Sequence, residues 1–266
     1  MRFQYDETTF LSFEKSGEGP QILFLFHGFG LTKEVFQPWM PHLQGHYTVY
    51  AVDLFYHGDS QKPHGHLHKK DWKLIFEAFL AHEKIECFSV LGFSLGARFA
   101  ICSAIELLDK CDHLYLVAPD AVYKTPWFKL ATSFGFRWIF KYFMFHPDQM
   151  DRFIQLAVKL RLVSKYMGDF VEKELGKADN RKRVYISWNH FKPLGYSGRQ
   201  LKKAFAGAPY KRTILLGKKD IVIPPEKVLP IIQGCGFHVI LLDKKHHQMV
   251  RAEVAEEIMK SIPDVS

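Results

Sequence analysis

Six short, unbroken apolar runs punctuate this chain and constrain its fold more than any other feature. The clearest is Gln21–Phe26 (QILFLF), ended at once by His27-Gly28-Phe29-Gly30. A run this short and continuous suits a strand covered on both faces. Tyr47–Val52, Phe88–Leu91, His113–Val117, Thr213–Leu216 and His238–Leu242 are runs of the same kind. Between them, Trp72, Ile75, Phe76, Phe79 and Leu80 recur at intervals of three and four, as do Phe99, Ala100, Ser103 and Leu107. Strands alternating with helices predict an α/β fold, a mostly parallel, doubly wound sheet with helices on both faces. The segment from Arg2 to Phe13 is expected to add an antiparallel edge.

The rhythm breaks between about Ala121 and Leu194, where no strand-like run occurs. The segment is aromatic and basic, with Trp127, Phe128, Phe134, Phe136, Trp138, Phe140, Tyr142 and Phe143 among its residues. An insertion at the carboxyl edge of an open sheet, where such folds bind ligands, reads as a helical lid. The expected layout is therefore a core of residues 1–120 and 195–266 with a lid of residues 121–194. At 266 residues the chain suits one large core carrying such an insertion.

Gly92-Phe93-Ser94-Leu95-Gly96 follows one of the apolar runs and opens a helical stretch. That is the strand, tight turn and helix in which a nucleophilic serine can be exposed. Glycines at 92 and 96 are expected because the turn is strained and neighbouring side chains would collide. Two further segments end strand runs in the same way. Leu216-Gly217-Lys218-Lys219-Asp220 offers a carboxylate, which could serve as a triad acid, cap a turn, or pair with Lys218 or Lys219. Lys244-Lys245-His246-His247 offers two adjacent histidines, of which only one can act as a base.

At these residues the chain resembles the α/β-hydrolase superfamily, and the resemblance covers nearly its whole length. Members place His-Gly after the third strand, as His27-Gly28 stands here. They follow the next strand with an Asp-x-x-Gly-x-Gly-x-Ser type loop. Asp53-Leu54-Phe55-Tyr56-His57-Gly58-Asp59-Ser60 keeps the aspartate, one glycine and the serine, with Tyr56 in place of the first glycine. The resemblance implies the order Ser94, Asp220, His246 for nucleophile, acid and base. His246 rather than His247 is chosen by counting back from the apolar pair Met249-Val250, although Lys245 replaces the usual preceding glycine.

The chemistry explains why each group is needed. A neutral serine hydroxyl is a poor nucleophile, so His246 must take its proton while Asp220 holds the imidazole tautomer. The tetrahedral oxyanion needs donors, expected from the backbone N–H of Leu95, at a helix start, and of Phe29. The His27-Gly28 loop is expected to border the substrate. A serine at the elbow, where epoxide- and halide-processing relatives carry aspartate, leaves acyl chemistry. The expected activity is that of a serine hydrolase, a carboxylesterase, acting on an ester or related acyl bond of a small or medium, largely apolar substrate through an acyl-enzyme on Ser94. A carbon–carbon bond hydrolase of the same fold and a ligand-binding protein without turnover are the alternatives. No metal or cofactor is required.

Composition narrows the partners. Lys and Arg number 36 against 28 acidic residues, a net charge of +8, which favours an anionic substrate or surface without naming one. Nucleic acid is not expected, and a small-molecule acyl substrate is. Aromatics at 15%, with 24 Phe, suggest an apolar pocket. The aromatics and lysines near residues 127–145 would suit weak contact with a membrane surface, and a lid closing on a pocket explains the same residues. Four scattered cysteines form no C-x-x-C pair, and neither a secretory signal nor a membrane span is evident, so a reduced, cytoplasmic setting is expected. His64, His66 and His68 form an alternating set whose simplest reading is a solvated loop rather than a metal site.

Overall fold

A computed structural model describes residues 1–63, 65–123 and 178–260, together with scattered positions between 138 and 159. Eight strands form one sheet in the order β1-β2-β4-β3-β5-β6-β7-β8. They are β1 Arg2–Gln4, β2 Phe10–Ser16, β3 Gln21–Phe26, β4 Tyr47–Val52, β5 Phe88–Phe93, β6 Cys111–Val117, β7 Lys211–Gly217 and β8 His238–Leu242. The last six run parallel, whereas β1 and β2 are antiparallel additions at one edge. The segment expected as one edge strand is thus a hairpin of two.

Alternation along β3 sorts its side chains between the two layers. Leu23 and Leu25 join Phe36, Trp39, Leu43 and, from the helix α7 (Ala252–Lys260), Val254, Ala255 and Ile258 in one core. Phe24 and Phe26 point the other way and meet Phe76, Phe79, Phe88, Phe99 and Trp72 with ring centroids 4.9–6.0 Å apart. The helix α2 (Lys69–His82) buries Trp72, Ile75, Phe76, Phe79 and Leu80, the positions its spacing predicts. Much of the phenylalanine content therefore fills this layer rather than a pocket.

α3 (Gly96–Glu106) is buried almost all round, from Gly96 to Ala104. The shorter helices α1 (Met40–Leu43), α5 (Gly198–Phe205) and α6 (Pro225–Ile232) complete the described core. β8 departs from the expected buried run, because Val239 and Leu241 are exposed. It is the last strand of the sheet, with no strand paired beyond it among the described residues.

The chain divides into two compact units, Met1–Lys124 with Pro193–Ser266, and Thr125–Lys192. The second unit contains the helix α4 (Ala178–His190). Most of the segment expected as a lid lies outside the described residues, as do most of its aromatics; Trp138 and Tyr142 are exposed. No helix among the described residues is long and apolar enough to cross a membrane.

Candidate active site

The turn from β5 into α3 places Ser94 in the left-handed region, at φ 49°. That conformation is costly for a residue with a β-carbon, so neighbouring contacts must hold it. Ser94 N–H donates to Val117 O at 2.9 Å, and Ser94 O accepts from Ala97 N at 3.1 Å and Asp120 N at 3.2 Å. Of the two needs expected of the flanking glycines, avoidance of collision applies and strain relief does not. Neither has a positive φ; a β-carbon on Gly92 would strike the Ala97 backbone, and one on Gly96 would strike the Phe26 carbonyl. Strand and helix can approach closely only because both lack side chains.

Asp220 follows β7 and is buried. Its Oδ1 accepts from the N–H groups of Val222 and Ile223, both at 2.8 Å, so it does cap its turn. Its Oδ2 lies 2.7 Å from His246 Nδ1. The lysine pairing is not formed, since Lys219 Nζ turns to Asp243 at 2.7 Å. His246 opens a single helical turn after β8, His246–Gln248, which the fully buried Met249 pins to the core. Its Nε2 lies 3.1 Å from Ser94 Oγ. A carboxylate only accepts, so Nδ1–H donates to Asp220 and the Nε2 lone pair faces the serine hydroxyl. His247 is exposed and takes no part in this chain of hydrogen bonds.

The two backbone N–H groups expected as oxyanion donors are those of Phe29 and Leu95. Among the described residues, neither Phe29 N–H nor Leu95 N–H is bonded to a protein acceptor. Leu95 sits at the N-cap of α3, where the helix dipole favours negative charge. Gly28 lets the Phe29 loop close on the elbow, for a β-carbon there would come within 2.9 Å of the Phe93 ring and 3.3 Å of Ser94 Cβ.

His27, expected to border the substrate, is instead a tie within the protein. Its ring is fully buried; Nδ1–H donates to Gly28 O at 2.8 Å and Nε2 accepts from Leu54 N at 3.0 Å. Both nitrogens are engaged, and burial pushes its pKa down to about 4, so the ring is neutral. The side chain holds the loop rather than meeting a ligand. Of the His64, His66 and His68 set, His68 stands at the N-cap of α2 and His64 lies outside the described residues.

Two supporting networks escaped the sequence. The fully buried Asp53 accepts from Lys33 N and Lys33 Nζ, both at 2.8 Å, and from Asp59 N at 3.1 Å, so it clamps the Phe29 loop to the loop after β4. Burial works against the Lys33 charge, but hydrogen bonds to Asp53 and Glu34 outweigh it and leave its pKa raised. Tyr56, where the resemblance leads one to expect glycine, keeps the left-handed backbone at φ 65°. The second network is an ion pair between Arg98 and Asp120, with Nη2 2.9 Å from each carboxylate oxygen. Arg98 offered a signal, being a charge in an otherwise apolar helix start, and Asp53 stood out as the aspartate of the family-like loop; Lys33 as its partner offered none.

Comparison with known proteins agrees with this architecture. The family model described as alpha/beta hydrolase fold matches residues 21–250. A pimeloyl-[acyl-carrier protein] methyl ester esterase from Vibrio vulnificus is 32% identical over 111 residues, which are 42% of this chain and 41% of the relative. A 2-(acetamidomethylene)succinate hydrolase from Mesorhizobium japonicum is 32% identical over 99 residues, 37% of this chain and 35% of the relative. The chain thus spans about two fifths of the length of the first of these curated relatives and about a third of the second. Among solved structures, a thermophilic esterase from Thermogutta terrifontis superposes with a TM-score of 0.69 at 16% identity, covering 95% of this chain and 92% of its own. A 2-hydroxy-6-oxo-6-phenylhexa-2,4-dienoate hydrolase from Rhodococcus gives 0.66 at 17% identity, covering 97% and 95%. By its matched residues and its fold, this chain belongs to the α/β hydrolase family.

Proposed function

We propose that the protein is a serine hydrolase that cleaves an ester of a small or medium, largely apolar substrate through an acyl-enzyme on Ser94. The observation that carries this reading is the bridging position of His246, 3.1 Å from Ser94 Oγ on one side and 2.7 Å from Asp220 Oδ2 on the other. In the proposed reaction His246 Nε2 takes the Ser94 proton as Oγ bonds to the acyl carbon. Asp220 keeps Nδ1 protonated and stabilises the imidazolium. The oxyanion meets the N–H groups of Leu95 and Phe29, each such donor being worth about 3 to 4 kcal/mol in comparable sites. Collapse breaks the ester bond, the leaving alkoxide takes the proton back from His246, and water repeats the cycle to free Ser94.

Sequence similarity to methyl ester esterases favours ester cleavage, whereas the likeness to a carbon–carbon hydrolase lies in the fold alone at 17% identity. The test is intact-protein mass after treatment with an alkyl fluorophosphonate, which reports an activated serine without knowledge of the substrate. One adduct on the wild type, absent from Ser94→Ala, together with turnover of acyl esters that this substitution abolishes, is the expected result. Turnover unchanged in Ser94→Ala would overturn the reading. Absence of any adduct on folded wild type would favour a binding protein of the same fold.

A further inference from the structure

We propose that the loops carrying Asp220 and His246 form a basic rim that selects acyl substrates bearing an anionic group remote from the bond cleaved. This rests on the hydrolase reading above and adds a substrate class to it. Each loop sets two lysines directly ahead of its site residue, Lys218-Lys219-Asp220 and Lys244-Lys245-His246. The loops leave neighbouring parallel strands, with Gly217 opposite Leu242. They stay joined beyond the sheet, as Lys218 N donates to Leu242 O at 2.7 Å and Lys219 N to Lys244 O at 3.2 Å. The four lysines therefore share one rigid surface beside the site.

Local acids offset only part of this charge. Lys219 pairs with Asp243 at 2.7 Å and Lys244 with Glu253 at 3.0 Å. Lys218 and Lys245 are exposed and have no carboxylate within ion-pair distance among the described residues, although Asp243 lies close enough to feel Lys218. The carboxylate of Asp220 faces inward to His246, and the exposed Arg251 adds to the positive side. Four lysines against two surface carboxylates leave an excess of two positive charges.

Proximity makes that excess effective. Lys245 adjoins His246 in the chain and Lys218 lies two residues from Asp220, with consecutive Cα atoms about 3.8 Å apart. Their backbones thus lie within a Debye length of about 8 Å of these site residues at physiological salt. Approach of an anionic ligand to the rim is hastened by the field. A neutral substrate gains no such benefit.

Two fluorophosphonates of equal chain length test this, one ending in a carboxylate and the other in a methyl ether. The rate of Ser94 labelling is measured on the full chain at about 0.02 M and about 0.5 M salt. We expect the anionic probe to react at least about fivefold faster at low salt, with the preference vanishing at high salt. Lys218→Gln with Lys245→Gln should abolish the preference while changing labelling by the neutral probe less than about twofold. Lys202→Gln with Lys203→Gln, an equal change of charge on α5, should leave the preference intact. Equal rates for both probes on the wild type would overturn the rim. A preference lost equally in the α5 variant would overturn it as well, by assigning the effect to net charge. Failure of both probes to label Ser94 would instead sink the hydrolase reading.

Discussion

Arg98 and Asp120 join two sides of the elbow: one guanidinium nitrogen lies 2.9 Å from both carboxylate oxygens, while Asp120 N–H donates to Ser94 O and Arg98 N–H to Leu95 O. The side-chain pair thus braces the same turn that the two backbones hold. Arg98 is only 2% exposed, so it depends on this carboxylate for compensation. Asp120→Ala should destabilise the protein by about 3 kcal/mol, because it leaves a buried cation without its carboxylate. Arg98→Met combined with Asp120→Leu should recover most of that loss. Urea denaturation of the two variants decides the matter; equal losses would mean that the pair braces nothing beyond its own packing.

Asp220 serves both its turn and His246, and one substitution separates these roles. Asp220→Asn keeps an oxygen for the N–H groups of Val222 and Ile223 but loses the charge facing His246 Nδ1. Turnover should drop by about 10⁴-fold through the wrong tautomer and an unsupported imidazolium. Thermal and urea midpoints should change little. A variant with near wild-type rates would show that the hydrogen-bonded chain is not a catalytic one.

Gly28 stands between the loop of Phe29 and the elbow. Gly28→Ala would press a methyl against the Phe93 ring, at 2.9 Å, and that ring packs on His246 with centroids 5.3 Å apart. The displacement passes to the histidine, so kcat should fall about 10- to 100-fold. The overpacking itself should cost about 1 to 3 kcal/mol. Steady-state kinetics with calorimetry would expose the opposite case, in which stability falls and kcat is unchanged.

Acid should weaken the fold through two buried histidines. Burial lowers His27 to about 4 and His113 to about 3, each from an ordinary 6.5. His113 is further depressed by Lys211 and His238 and bonds Thr213 Oγ1 at 2.9 Å. Between those values the unfolded chain binds protons that the folded chain refuses, so stability is full above about pH 6.5 and declines as pH falls towards about 4. The decline should level off only below the folded values. His113→Gln keeps a partner for Thr213 and should flatten the slope of unfolding free energy against pH over that window. An unchanged slope would exclude His113 as a contributor.

Most of the sheet was legible because a strand covered on both faces leaves an unbroken apolar run. Gln21–Phe26 and Tyr47–Val52 read off the sequence with the bounds they have in the fold. α2 was equally plain, since its buried side is a single stripe at helical spacing. β8 has the same apolar look in sequence as β3, yet only pairing order distinguishes an edge from a centre. Ser94, Asp220 and His246, which the fold brings within hydrogen-bonding reach of one another, were legible from their places after strands together with the family resemblance. Their supports were not, because Lys33 and Asp53 lie 20 residues apart and Arg98 and Asp120 lie 22 apart on different elements. Nothing local announces such partners; they exist only once the sheet has brought its carboxyl ends together.

The two ends of the sheet differ in how they meet water. At the first, the ladder ends in an edge strand of only 3 residues, with Arg2 lying over the Phe10 ring. At the other, β8 has no strand paired on its outer side among the described residues, with Val239 and Leu241 exposed along it. Neither proline nor an acidic residue interrupts that strand. An open, apolar ladder of this kind is where cross-molecular strand pairing begins. In concentrated or partly refolded samples, self-association should therefore start from this side of the molecule, and a lysine at Val239 would be the smallest change to suppress it.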